Sequence, residues 1–210
     1  MREMDDEPRR FVSLVTRRPD PYAQVRERAI AYVEEHPGTP AIPAYAEARM
    51  LATLTRALRS TYVLLLGAGG GYTALHISSS FGHTGQLDVV ETDPKFAGIA
   101  EAAAARFAMA DRIRVHTGTV RDVVSSLNGP FDLVVLWAAA ADREWPALHP
   151  DLVRLVRVGG SIVVSGLPPA MGAGEGRDPL AEYMVQLAQD ERLLLGVAGE
   201  SGLAIAARVR

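Results

Sequence analysis

The sequence predicts an α/β protein built on a doubly wound, mostly parallel sheet. Three observations carry this. Short apolar runs recur between residues 62 and 165, each followed by a stretch of helical character. The first run, Val63-Leu64-Leu65-Leu66, enters a glycine turn, and the second, Leu87-Asp88-Val89-Val90, ends on Glu91. Two further strand-like runs flank Ala198-Gly199-Glu200-Ser201-Gly202, a hairpin signal. All 210 residues are read as one domain: a charged tail at 1–20, N-terminal helices at 21–59 and the α/β core at 60–210.

The elements follow in order. Pro21–Glu35 is an amphipathic helix with Tyr22, Val25, Ala29 and Val33 along one face. Pro37-Gly38-Thr39-Pro40 breaks it, and Ala44–Arg59 is a second helix leading into the sheet. Strands are expected at Tyr62–Leu66, Gln86–Glu91, Ile113–His116, Asp132–Trp137 and Gly160–Ser165. Helices are expected between them at Tyr72–Ser80, Pro94–Arg106, Arg121–Leu127 and Trp145–Val156. Repeated βα alternation argues for a doubly wound parallel sheet. Asp178–Asp190 adds a helix, and Leu193–Val197 with Leu203–Arg208 closes the chain as a hairpin. The Pro/Gly-rich loop at 167–179 follows a strand end, where ligands bind in such sheets; a lid and simple disorder both fit it.

Composition narrows the function classes. Hydrophobic residues make up 48% of the chain, which suits a sheet buried on both faces. There are no cysteines, which excludes disulfides, thiol nucleophiles and thiolate metal sites and fits a cytoplasmic protein. The net charge of -3 offers no broad basic surface, so no nucleic-acid partner is expected. No segment approaches the apolar length needed to span a membrane, and the first ten residues, MREMDDEPRR, lack an apolar signal core. Lys95 is the single lysine, which leaves one candidate for a lysine base.

The chemistry-bearing pattern is the pairing of VLLLGAGGGYTAL at 63–75 with VVETDP at 89–94. Glycines allow a tight turn and close approach of backbone to a ligand. The helix that follows presents unpaired N–H groups. A carboxylate at the end of the next strand can accept hydrogen bonds from ribose hydroxyls. The pairing predicts a nucleoside site at the C-terminal edge of the sheet. Dinucleotide enzymes usually carry GxGxxG, but the third position here is Tyr72, and Gly67, Gly69 and Gly71 form GxGxG instead. That spacing resembles S-adenosylmethionine (SAM) methyltransferases.

The stretch from about Pro43 to Arg208 resembles the bacterial O-methyltransferases related to catechol and caffeoyl-CoA O-methyltransferases. Their VLEIGTGTGYSAL is matched by VLLLGAGGGYTAL, and their IEIDPEHAAIA by VETDPKFAGIA. Their FDLVFIDADK is matched in part by FDLVVLWAAA at 131–140, and their LRPGGLIVVDN by VRVGGSIVVSG at 157–166. The resemblance implies a Rossmann-like seven-stranded sheet with an antiparallel C-terminal strand, SAM as cofactor, a small-molecule acceptor and a homodimer. It places Gly67, Ala68, Gly69 and Gly70 beneath the methionine and ribose portions. Tyr72 and Thr73 fall at the amino-acid end, Glu91 on the ribose hydroxyls, Thr92 beside the adenine, and Gly118, Thr119 and Val120 along the adenine border. Trp137 is counted with the residues that border the cofactor. The N-terminal helices either cover the active site and support the dimer or simply cap the sheet.

Several functional positions depart from that family. Its two metal-binding positions, an Asp and an Asp-Asn pair, align with Trp137 and with Ser165-Gly166, so no divalent metal is expected. Its lysine base aligns with Ala140, and its acid near the methionine ammonium aligns with Leu65. Asp142 lies close by, as a displaced base or as a helix N-cap. Trp137 and Trp145 flank the acceptor entrance; Trp137 either walls a planar acceptor or fills the emptied metal position. His36, His76, His83, His116 and His149 do not cluster in sequence, and no catalytic residue is assigned. The expectation is a SAM-dependent O-methyltransferase working without metal. A non-catalytic SAM-binding or structural descendant is the alternative, and an NAD(P) oxidoreductase is the third reading.

Overall fold

The computed structural model describes residues 19–82, 84–138, 144–168, 178–198 and 202–210. His83, Ala140, Asp142, most of the loop at 167–179, the centre of the C-terminal hairpin turn and residues 1–18 lie outside them. Among the described residues two helices come first, α1 (Ala23–Glu35) and α2 (Tyr45–Ala57). The core then alternates: β1 (Tyr62–Leu66), α3 (Tyr72–Ser79), β2 (Gln86–Glu91), α4 (Pro94–Arg106), β3 (Ile113–Thr117), α5 (Val120–Ser126) and β4 (Phe131–Trp137). It continues with α6 (Trp145–Leu155), β5 (Val156–Ser165), α7 (Pro179–Gln189), β6 (Leu193–Ala198) and β7 (Leu203–Arg208).

The strands form one seven-stranded sheet in the order β3-β2-β1-β4-β5-β7-β6. The pairs from β3 through β5 are parallel, and β7 lies antiparallel between β5 and β6. The expected doubly wound sheet with an antiparallel C-terminal strand is therefore the observed one. Strand alternation divides the core between two faces. Leu64, Leu66, Val134, Leu136 and Val164 pack beneath α5, α6 and α7. Val63, Leu65, Val89, Val135 and Val163 pack beneath α1 to α4. Burial on both faces is why these strands read as continuous apolar runs.

Local signals start the helices. Asp93 accepts from the N–H groups of Lys95 and Phe96 with Pro94 at the first helical position, Thr119 caps α5, and Asp178 caps α7. At the foot of the sheet, Asp132 Oδ2 accepts from the amides of Thr61 at 2.7 Å and Tyr62 at 2.9 Å. Its Oδ1 accepts from Arg157 Nε at 2.6 Å. Burial pushes this carboxyl up, but the Arg157 and amide hydrogen bonds prevail and hold it at about 2. Asp132 thus ties the lower ends of β1, β4 and β5 together. β5 begins four residues before the expected Gly160, because Val156 already pairs with Phe131 ahead of an irregularity in register.

The face of α1 that the sequence offers to a second subunit is occupied within the protomer. Tyr22, Val25 and Ala29 are buried, with the Tyr22 ring edge-on to His76 and Phe107. Asp20, counted with the tail, packs on the core: it accepts from Tyr22 N at 2.9 Å and from the Tyr72 hydroxyl at 2.6 Å.

Candidate functional site

The chain leaves β1, travels out to β3, and returns to add β4 on the other side of β1. The order reverses there, and in such sheets the crevice beyond the strand ends at the switch point receives ligands. Gly67 leaves β1 with φ +98°, and Gly69, Gly70 and Gly71 all have positive φ before α3 begins. Gly70 is closely packed: a Cβ there would lie 2.8 Å from Phe96 Cε2 and 2.9 Å from Ala29 Cβ, so its neighbours would have to shift.

Glu91 ends β2 opposite this turn. Its Oε2 accepts from Ala68 N at 3.2 Å, and its Oε1 accepts from Thr92 N at 2.9 Å and Asp93 N at 3.4 Å. Burial raises its pKa, against the pull of those amides. Two carboxylate oxygens offer about four acceptor positions. Oε2 therefore keeps a free position for one ligand hydroxyl, while a second hydroxyl must compete with the long bond from Asp93.

A cavity of about 40 Å³ lies here, and Gly67, Gly69, Glu91, Thr92 and Trp137 are among its walls. Pro40, Ala41, Phe96, Val120 and Trp145 complete most of the rest. The other expected site residues surround it. Ala68 supports Glu91 from behind, and Gly70 packs on Phe96. Gly118 N donates to the Glu91 carbonyl at 3.1 Å. Thr119 uses its Oγ1 to accept from Asp122 N at 3.1 Å and to donate to Asp122 Oδ2 at 2.7 Å, while Val120, of the same expected segment, lines the cavity. Thr73 is buried, with an unpartnered Oγ1 near the Gly69 backbone. Tyr72 points elsewhere: its ring is fully buried in the core and its hydroxyl donates to Asp20.

The positions where the resembled family carries metal ligands form an apolar contact. The Trp137 indole Nε1 donates to the Ala41 carbonyl at 2.9 Å. Its six-membered ring lies on Gly166, where a Cβ would come within 2.5 Å of Cζ3. The two departures from the family complement each other: the indole occupies this place because residue 166 has no side chain. Ser165 offers one neutral hydroxyl, and among the described residues no three His, Cys, Asp or Glu side chains gather as a metal site. Hard cations take several oxygen ligands, usually charged, and the side chains of Trp137 and Gly166 supply none. Leu65 is fully buried in the core beneath α1 to α4.

The described histidines have structural surroundings. His76 is buried among Tyr22, Tyr45 and Tyr72, and its Nε2 is 3.3 Å from Asp20 Oδ1 without hydrogen-bond alignment. Burial lowers its pKa, with Asp20 opposing. His116 meets Asp88 at 2.9 Å, His149 meets Asp190 at 2.8 Å, and His36 stacks on Tyr32. Sequence reasoning missed Pro40, Ala41, Phe96 and Asp20. Phe96 stands in the VETDPKFAGIA stretch but at a position to which no ligand contact was assigned; the other three stand in no ligand-binding motif, and their placement follows from helix packing.

With β7 inserted antiparallel, this is the Rossmann-like fold of methyltransferases. The chain belongs to the O-methyltransferase family, whose model matches residues 24–197. It is 32% identical over 123 residues to a catechol O-methyltransferase of Mycobacterium tuberculosis, a match covering 58% of this chain and 54% of that protein. The chain thus matches about half the length of that relative. It is 30% identical over 182 residues to a candidate O-methyltransferase of Mycobacterium avium, covering 81% and 77% of the two chains. Among solved structures, cofactor-bound Rv0187 from M. tuberculosis superposes with TM-score 0.79 at 25% identity over 95% of each chain. TomG from Streptomyces achromogenes, solved with SAM, superposes with TM-score 0.79 at 20% identity over 100% of each and shares the fold. Among the described residues, no helix is long and apolar enough to cross a membrane.

Proposed function

We propose that the protein is a SAM-dependent methyltransferase that methylates a hydroxyl oxygen of a small molecule without a divalent metal. The observation that carries this reading is Glu91 facing the GAGGG turn in one cavity at the switch point. The solved relatives that hold SAM or its product support the choice of cofactor. In this reading the ribose meets Glu91 Oε2, and the purine lies between Thr92, Val120 and Trp145. Thr73 Oγ1 is the buried hydroxyl available to the amino-acid end. Methyl transfer from a sulfonium to oxygen is an in-line displacement, and holding donor and acceptor together supplies much of its acceleration. The apolar indole of Trp137 excludes water from the acceptor side and gives a flat wall. No residue is assigned as the base that removes the hydroxyl proton. The cysteine-free composition supports a cytoplasmic setting, and a two-fold dimer is part of the proposal.

Calorimetric titration with SAM, its demethylated product S-adenosylhomocysteine and NAD tests the cofactor; NAD binding with no SAM binding would overturn it. Turnover on a panel of hydroxylated aromatics, with and without EDTA, tests the chemistry. Activity unchanged by EDTA is expected, and loss with EDTA restored by Mg²⁺ would refute the metal-free site. The second reading, a SAM-binding protein without turnover, is favoured by the committed position of Trp137, whose indole is already bonded to Ala41 and packed on Gly166. Binding of SAM with no methyl transfer across the panel would select it.

A further inference from the structure

The connection between α1 and α2 crosses the cavity, with Pro40 and Ala41 forming part of its wall. Its two ends are firmly held. At the first, the His36 ring stacks on Tyr32 at 4.0 Å and 11°, and Tyr32 stacks on Phe96 at 5.0 Å and 12°. The Tyr32 hydroxyl donates to Asp93 Oδ2 at 2.5 Å. At the second, Pro43 is buried and its carbonyl accepts from Arg26 Nε at 2.9 Å. Glu47 then accepts from Ala44 N at 2.7 Å. Between these anchors lies Gly38, with φ +100° and open space around its Cα. The midpoint is tied to the sheet by Trp137 Nε1 donating to the Ala41 carbonyl at 2.9 Å.

The cavity beneath holds about 40 Å³, whereas cofactor pockets are typically about 300–1,000 Å³. The cavity as it stands is therefore too small for a nucleoside, and Pro40 and Ala41 are among the residues that bound it. We propose that residues 36–43 are a strap hinged at Gly38, and that Trp137 is the positioning residue that latches it over the cofactor cavity. The inference rests on the nucleoside reading of the cavity for its purpose, but not for its mechanics. Opening breaks the bond to Ala41 and leaves both anchors intact. The tryptophan that replaces a metal ligand of the resembled family would then control access to the cofactor side.

Trp137→Phe keeps an aromatic ring over Gly166 and removes only the N–H donor. Loss of one neutral hydrogen bond should raise the open fraction roughly 2- to 12-fold. Observed association scales with the competent fraction. In stopped-flow mixing with S-adenosylhomocysteine, followed through Trp145, association and dissociation should both rise by that factor, and Kd should change less than either. A purely structural role would weaken affinity with no faster association. Gly38→Ala, strained at its positive φ but free of any clash, should act in the same direction. Amide exchange needs no ligand: exchange at Gly38, Thr39 and Ala41 should rise in Trp137→Phe while β1 and β4 stay protected. Unchanged exchange there overturns the strap even if no nucleoside binds. Absence of S-adenosylhomocysteine binding to the native protein, with exchange raised in the variant, retains the strap and removes the cofactor reading.

Discussion

Glu91 combines burial with unfinished hydrogen bonding, which makes it the side chain on which the proposed cofactor site most depends. Its ionised form accepts from hydroxyl donors, so Glu91→Ala should weaken S-adenosylhomocysteine binding by about 1–3 kcal/mol by calorimetry. Unchanged affinity would remove it from the site. Its folded pKa is raised, so affinity should begin to fall at a pH above the ordinary glutamate value as the solution is acidified. Gly70 tests the turn itself. Alanine there would adopt φ +58° and crowd Phe96 and Ala29, so Gly70→Ala should destabilise by more than about 1 kcal/mol in urea melts. A neutral result would show that the turn relaxes around a methyl group.

Among the elements, the lower edge of the sheet depends on one carboxylate shared by β1, β4 and β5. The folded pKa of Asp132 is depressed below its unfolded value of 3.8 to about 2. Its stabilisation is therefore complete above the unfolded value and lost as the pH falls through about 2. Asp132→Asn should cost about 1–3 kcal/mol at neutral pH and remove this component of acid unfolding. The N-terminal helices supply the opposite case. Burial depresses His76, so the unfolded chain binds its proton more readily. Stability should decline as pH falls from the ordinary histidine value toward the lower folded one, and His76→Asn should flatten that decline in melts across this window. An identical slope in the variant would assign the acid sensitivity elsewhere.

At the scale of the whole molecule, assembly is expected at the sheet edge rather than at the N-terminal helix. The predicted apolar face of α1 is buried in its own protomer, whereas Leu194 and Val197 stand exposed on β6, the last strand of the sheet. Exposed apolar edge strands favour pairing with another chain. Light scattering should give a dimer, and Leu194→Asp should shift it toward monomer. A native monomer at high micromolar concentration would count against the dimer.

The alternation of apolar strands, the glycine turn and the acid at the end of β2 were legible in the sequence. Each is a local requirement: a buried strand needs continuous apolar residues, positive φ favours glycine, and a strand end facing a ligand needs an acceptor. The departures at Trp137 and Gly166 from the metal-binding positions of the resembled family were legible. That they form a single packed contact was not, because residues 29 apart in sequence meet only when β4 pairs with β5. The same holds for Tyr72. Its motif position suggested a ligand contact, but packing of the N-terminal segment brought Asp20 to its hydroxyl and turned the ring into the core. The strap is the furthest from sequence, since nothing in Pro40-Ala41 marks a cavity wall. Its role arises when α1 and α2 dock on the sheet and carry an ordinary backbone carbonyl to within hydrogen-bonding distance of an indole 96 residues away.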